Sequence, residues 1–273
     1  HIMDLRKEYK EIVLDYFKRE YLQGRTPNPC IICNRFLKFE ILLEKSYSAG
    51  IEFELFGTGH YAIVEYDKNR KRYILKRGVD KDKDQSYFLY LLTQEQLSRA
   101  IFPLGKYTKE EVREIARKYN LPVSEKEESQ DFISGDRFFL FENGIKEGEI
   151  VDKEGNVLGK HKGLIYYTIG QRRGLRIAKG KPLYVIGIDA EKNRIIVGEE
   201  KDLFKKEFIV RNVNLISIEK IENCIEAEVK IRYKHSPSPA TIYPYGENSL
   251  KVVFASPQRA ITPGQSAVFY RGD

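Results

Sequence analysis

The sequence predicts an α/β segment followed by two small all-β domains. Apolar residues recur at helical spacing near the start, and two capping boxes announce further helices. Beyond about residue 145 the pattern changes to short alternating runs punctuated by glycine. The expected units are residues 1–145, 146–205 and 206–273.

Leu5, Tyr9, Ile12, Val13, Tyr16, Phe17 and Tyr21 form one helical stripe, with Asp4 placed to cap it and Gly24 to end it. The prolines of Arg25-Thr26-Pro27-Asn28-Pro29 forbid continuation, so a loop follows. Residues 34–45 read as a second helix that offers Phe36, Leu37, Ile41 and Leu42 to a core. Phe53 to Gly57 reads as a buried strand ending in a tight turn. Thr93-Gln94-Glu95-Gln96 and Thr108-Lys109-Glu110-Glu111 are capping boxes, and the second should turn Val112, Ile115 and Ala116 inward before a stop near Asn120. In the last part Ile225, Ala227, Val229, Ile231 and Tyr233 alternate with polar residues, and 241–243, 250–254 and 267–270 supply more short strands. Small β-barrels fit this spacing better than a doubly wound sheet.

Composition narrows the function classes. The chain has 273 residues, 41% hydrophobic and 32% charged, as expected of a soluble globular protein. No apolar run approaches the roughly 20 residues that cross a bilayer, and no segment reads as a signal peptide, so no membrane partner and a cytoplasmic location are expected. Lys and Arg total 47 against 40 acids, a net charge of +7, which is too modest to indicate nucleic acid until the charges are placed. Three cysteines exclude a disulfide-rich secreted framework.

Two of those cysteines, Cys30 and Cys33, lie in Asn28-Pro29-Cys30-Ile31-Ile32-Cys33-Asn34, just ahead of the expected second helix. The positive end of a helix dipole favours thiolate, the species that attacks or carries sulfur. The alternative is a structural zinc pair, but zinc usually takes four ligands, and His60, His161 and His235 are scattered. In Thr58-Gly59-His60-Tyr61 the glycine permits close approach of a ligand, and His60 could bond a phosphate or a base or serve structure alone. Lys83-Asp84-Gln85-Ser86-Tyr87 offers donors to phosphate and ribose, or is a solvated loop. Residues 160–181 hold seven Lys or Arg and no acid, interleaved with Tyr166 and Tyr167 and with Gly170, Gly174 and Gly180. Basic groups neutralise phosphates and tyrosines can stack on bases, so this stretch points to nucleic acid.

In order, these pieces resemble the tRNA-specific 2-thiouridylase family. The matching signatures are 24–29 with Cys33-Asn34, 58–61, 83–89, Phe102-Pro103-Leu104-Gly105, Tyr167-Thr168-Ile169-Gly170-Gln171-Arg172, and 262–270. The resemblance spans essentially the whole chain. It implies the remainder of an adenine-nucleotide α-hydrolase-like (PP-loop) domain with a helical tRNA-binding region, then two small β-barrel domains. It also implies a sulfurtransferase: Mg-dependent ATP adenylates O2 of the wobble uridine of tRNA, and a cysteine persulfide then delivers sulfur to give 2-thiouridine. The sulfur donor would be a persulfide from a cysteine desulfurase or a sulfur-relay protein. By motif, Cys33 is the catalytic thiol, Asn28, Pro29 and Cys30 lie against the target base, and Gly59 faces the nucleotide. His60, Lys83, Asp84, Gln85, Arg232, Tyr233 and Gln265 contact tRNA, and the basic stretch adds Arg172 and Arg173.

Two departures from the family pattern stand out. The family opens with a Ser-Gly-Gly-x-Asp-Ser phosphate loop, and nothing before Asp4 matches it, so a truncated chain with weak ATP binding is expected. The family's second cysteine, shortly after the serine of Ser129-Gln130-Asp131-Phe132-Ile133, is missing; Ile133 stands nearest. Cys30 is then the expected partner of Cys33, resolving a persulfide as a disulfide. An iron–sulfur cluster at Cys30 and Cys33 is ranked just below that route and would need a third ligand. The rival of a different class is a non-catalytic tRNA-binding module derived from the same family.

Overall fold

Helix α1 (6–22) buries Val13, Phe17 and Tyr21 from the expected stripe. The Asp4 carboxylate accepts the Arg6 backbone N–H at 3.0 Å, but the cap position expected for it is taken by Leu5, whose side chain makes no capping bond. Gly24 ends the helix in left-handed backbone, φ +69°, and the Arg25 N–H returns to the Glu20 carbonyl at 2.9 Å. The Arg25 guanidinium then grips the buried Glu20 carboxylate through two contacts of 2.6 Å, fixing the exit direction of the chain. This is a computed structural model, and it describes residues 1–122, 141, 145–177 and 180–272.

Helix α2 (29–48) starts five residues earlier than the sequence suggested. Pro29 occupies its first turn, where the missing N–H costs nothing, and Asn28 before it is extended (φ −113°, ψ 93°). Cys33 therefore lies inside the helix rather than ahead of it. The ladder widens over Cys33–Ile41, where the Leu42 N–H reaches back to the Leu37 carbonyl, and the phase of the buried face shifts. Phe39 and Leu43 are buried in consequence, while Phe36, expected in the core, is exposed.

Strand β1 is only Phe56–Gly57, shorter than expected; it pairs in parallel with β4 (Ala100–Ile101). Between them a hairpin of β2 (Ala62–Asp67) and β3 (Arg72–Arg77) stands out from the segment. Both capping boxes are complete, opening α3 (Gln94–Arg99) and α4 (Lys109–Lys118). On α4, Ala116 is buried but Ile115 is exposed, contrary to the expected inward set. Phe39, Ala62, Leu89, Leu92, Leu97, Ala100 and Phe102 form the core of this part. The hairpin meets the Phe102–Gly105 turn so closely that a Cβ on Gly105 would lie 1.8 Å from the Ala62 carbonyl oxygen.

The next sheet runs in the order β6-β5-β8-β7, from β5 (Gly148–Val151), β6 (Val157–His161), β7 (Tyr184–Asp189) and β8 (Arg194–Gly198). Its core gathers Ile150, Val185, Ile195 and Val197 with Leu164, Tyr167 and Leu175. The last sheet is antiparallel throughout, in the order β13-β10-β11-β12-β9. Its strands are β9 (Phe204–Arg211), β10 (Ile225–Lys230), β11 (Ser238–Pro244), β12 (Ser249–Arg259) and β13 (Val268–Tyr270). Of the alternation read at 225–233, the part through Ile231 holds, with Val229 and Ile231 buried and Glu226 and Glu228 exposed, but the strand ends at Lys230 and Tyr233 lies beyond it. Among the described residues, no helix is long and apolar enough to cross a membrane.

Leu97 is fully buried in the first core and Ile209 lies on the outer face of β9. Leu97→Ala should cost about 2–5 kcal/mol, while Ile209→Ala should cost no more than about 0.5 kcal/mol. Urea denaturation midpoints measure both, and equal losses would contradict this placement of the core.

Candidate functional site at the cysteine-bearing helix

Cys30 and Cys33 stand three residues apart on α2, hence on one face of its first turns. Both are half-buried free thiols. Burial pushes each above its ordinary value; for Cys30 the neighbouring Cys33 adds to the rise. This enclosure opposes the preference for thiolate expected at a helix N-terminus. The opposing influence is Lys38, an exposed ammonium five residues after Cys33, whose charge favours the thiolate of both cysteines. The widened ladder brings that position near the cysteine face. Tyr9 on α1 completes the surround: burial raises its phenol, and Cys33 and Cys30 add to the rise.

His60 follows β1 and is wedged against Phe39 and Phe102, with ring centroids 6.4 and 5.9 Å away. Its Nδ1 shares a 2.7 Å hydrogen bond with the Thr58 hydroxyl. Burial first, and Lys38 second, depress the imidazole to a pKa of about 4. At neutral pH it is an uncharged hydrogen-bonding group. Gly59 beside it is exposed, and a Cβ there would meet only Leu104, at 3.7 Å. Among the described residues nothing requires glycine here.

Asp84 is 6% exposed, and its carboxylate accepts the backbone N–H groups of Gly78 and Ser86 and the Ser86 hydroxyl. Gln85 accepts the Tyr61 N–H through its side chain and donates its own N–H to the Tyr61 carbonyl. This pair holds the loop carrying Lys83 against the hairpin, so its role at any ligand runs through that loop. Tyr87 and Tyr90 in turn reach Ser266: the Tyr87 hydroxyl donates to its carbonyl, and the Tyr90 hydroxyl bonds its side chain. Ile31, Tyr87 and Val268 pack together with Tyr233 and Tyr270 around them, while the Asn34 amide donates to the Phe88 carbonyl.

The loop ahead of α2 is held from both β-domains, and Thr26 is the point of contact. Its N–H donates to the Pro263 carbonyl and its carbonyl accepts from the Gln265 amide, each at 2.8 Å. Its hydroxyl shares a 2.6 Å hydrogen bond with that of Thr168. Gly264 fits beneath; with φ +91° and only 2.8 Å from a Cβ to the Thr26 nitrogen, no side chain could replace it. Gln265 is thus engaged with the chain itself. Arg232 donates to the Arg259 carbonyl at 3.2 Å, and Tyr233 packs on Phe88 with ring centroids 4.4 Å apart. Arg172 and Arg173 are exposed and have no acidic partner among the described residues. Tyr167, expected to stack on a base, is buried in the core of the central sheet against His161.

Sequence reasoning did not single out Lys38, Tyr9, Thr26 or Thr168 for these roles. Two were already inside quoted motifs, but nothing local signals their partners. Among the described residues no group of three His, Cys, Asp or Glu is placed to hold a metal, so Cys30 and Cys33 find no third cluster ligand there. Ser129–Ile133 lies outside the described residues.

Three family descriptions match consecutive parts of the chain: a tRNA methyl transferase HUP domain over 1–134, a tRNA methyl transferase PRC-barrel domain over 138–199, and an aminomethyltransferase β-barrel domain over 205–273. Together they define a HUP-domain protein with two appended β-barrels. The tRNA-specific 2-thiouridylase MnmA of Acetivibrio thermocellus is 49% identical over all of this chain and 77% of its own length. The MnmA 1 protein of Caldanaerobacter subterraneus is 52% identical, covering 76% of that relative, and the MnmA of Clostridioides difficile 48%, covering 77%. The chain belongs to the tRNA-specific 2-thiouridylase family.

Replacing Lys38 by Met should move the pH midpoint of Cys33 alkylation upward, as the cation that favours thiolate is lost. An unmoved midpoint would show that Lys38 does not act on the thiol. His60 should titrate near pH 4 by NMR. Because the unfolded chain takes that proton near pH 6.5, His60 contributes stability above that pH. The contribution is lost as pH falls through about 4. A midpoint near the ordinary histidine value would contradict its enclosure.

Proposed function

We propose that the chain is a tRNA 2-thiouridylase that exchanges O2 of the wobble uridine for sulfur, with Cys33 as sulfur carrier and Cys30 as resolving thiol. The observation that supports this most directly is a dithiol on one helical face, beside Lys38, in a chain about half identical to named 2-thiouridylases.

The chemistry balances as follows. ATP is a substrate: its α-phosphorus is taken by uridine O2, and pyrophosphate leaves, making O2 part of a good leaving group. The terminal sulfur of a Cys33 persulfide attacks C2, and AMP departs. Cys30 thiolate then attacks Cys33 Sγ, breaking the sulfur–sulfur bond and leaving the outer sulfur on C2. A Cys30–Cys33 disulfide remains and needs an external thiol reductant before the next cycle. The persulfide itself comes from a donor protein.

The surrounding residues fit those steps. Lys38 stabilises thiolate at the moment of attack, and neutral His60 can hydrogen-bond a base or phosphate without adding charge. Gly59 leaves backbone open to the nucleotide. Arg172 and Arg173, on an exposed turn, supply phosphate contacts, and Lys83 with Arg232 and Tyr233 extends the RNA-facing set. Asp84, Gln85 and Gln265 act by holding the loops that carry these groups.

Cys33→Ser should abolish sulfur transfer while leaving tRNA affinity within about twofold. A large loss of affinity would make the thiol structural instead. Neutralising Arg172 and Arg173 together should weaken tRNA binding and lower the salt slope by about two. An unchanged slope would remove both from the phosphate contacts, and tRNA binding without any thiolation would favour a non-catalytic binder.

A further inference from the structure

Thr26 offers three polar backbone and side-chain atoms, and every one is bonded to a distant part of the chain. The segment it begins is unusually stiff. Thr26-Pro27-Asn28-Pro29 contains two buried prolines, each fixing its own φ and restricting the residue before it. A displacement of Thr26 is therefore carried to Cys30 and Cys33 instead of being absorbed on the way. The Thr168 hydroxyl that meets Thr26 is itself braced. Its backbone N–H donates to the Gln171 side-chain oxygen at 3.1 Å, and the Gln171 amide donates to the Arg173 carbonyl at 3.0 Å. One side chain thus ties the backbone of Thr168 to that of Arg173, on the exposed basic turn. Gly170 between them packs against Ala260, with 3.0 Å from a Cβ, which seats the turn on the last β-domain.

We propose that Thr26 and Thr168 are positioning residues for sulfur transfer: their hydroxyl pair, braced by Gln171, sets the cysteine-bearing helix in register with RNA phosphate held at Arg172 and Arg173. This rests on the reading of the chain as a tRNA thiolase and goes beyond it. The basic turn becomes part of what places Cys33, as well as a place where RNA binds. The contact also explains why a hydroxyl rather than an apolar group stands at both positions. A half-buried hydroxyl pair that served packing alone would be replaceable by Val at little cost.

Single-turnover thiolation at saturating tRNA, measured beside tRNA affinity, tests this. Thr168→Val keeps the shape and removes the hydroxyl; it should slow turnover by about tenfold and leave the tRNA Kd within about twofold. Thr168→Ser, which restores a hydroxyl, should recover most of the rate. Thr26→Val combined with Thr168→Val should be no slower than the worse single variant, because both remove one shared contact. In RNA-free protein, Thr168→Val should also change the alkylation rate of Cys33 by about threefold or more, and Thr168→Ser should not. Wild-type turnover and alkylation rates in Thr168→Val would overturn the proposal, as would a double variant slowed by the product of the singles. If the unaltered protein binds tRNA and thiolates nothing, the functional reading fails, whereas the alkylation comparison still decides whether the hydroxyl pair positions Cys33.

Discussion

The arrangement depends on the clamp around Thr26. A two-proline loop has no hydrogen-bonding ladder of its own, so its backbone groups must be satisfied from outside. Here those of Thr26 are satisfied by Pro263 and Gln265 of the last β-domain, while its side chain meets the central one. The helical part, the central sheet and the final sheet are thereby joined at the residue that leads into the cysteine helix. The apolar contact of Ile31, Tyr87 and Val268 adds a second junction between the cysteine helix and the last β-domain. Removing the last β-domain would leave the Thr26 backbone groups unpaired, and removing the central one would take away the partner of its hydroxyl.

Electrostatics at the site run against a simple account of thiol activation. Enclosure raises both cysteines, opposing the helix N-terminus that favours thiolate. Lys38 supplies the countering charge at the thiols, while burial first and Lys38 second keep His60 neutral.

Much of this was legible in the sequence, and the omissions have definite causes. Both capping boxes, the stop at Gly24 and the alternation at 225–231 are local patterns, and each formed as read. Helix α2 was read late because Pro29 looks like a breaker until it is recognised as a first-turn residue. Phe36 and Ile115 were placed inward by a 3.6-residue period that a widened ladder and an open α4 face did not keep. The β2–β3 hairpin gave no clear signal, since its strands are half-buried and carry charge on both faces. The Cys30–Cys33 pair was evident at once. The bond between Thr26 and Thr168 could not be, because 142 residues separate them and only the fold brings them together.

The role proposed for Cys33 is to hand sulfur to a tRNA uridine. The direct measurement loads the protein with isotopically labelled persulfide, adds ATP and tRNA, and follows the label by mass spectrometry in digested RNA and in cysteine peptides. Transfer through Cys33 predicts label leaving the Cys33 peptide and appearing in wobble 2-thiouridine, with a Cys30–Cys33 disulfide formed in equal amount. Label that reaches uridine while Cys33 is never persulfidated, or with no disulfide formed, would contradict it.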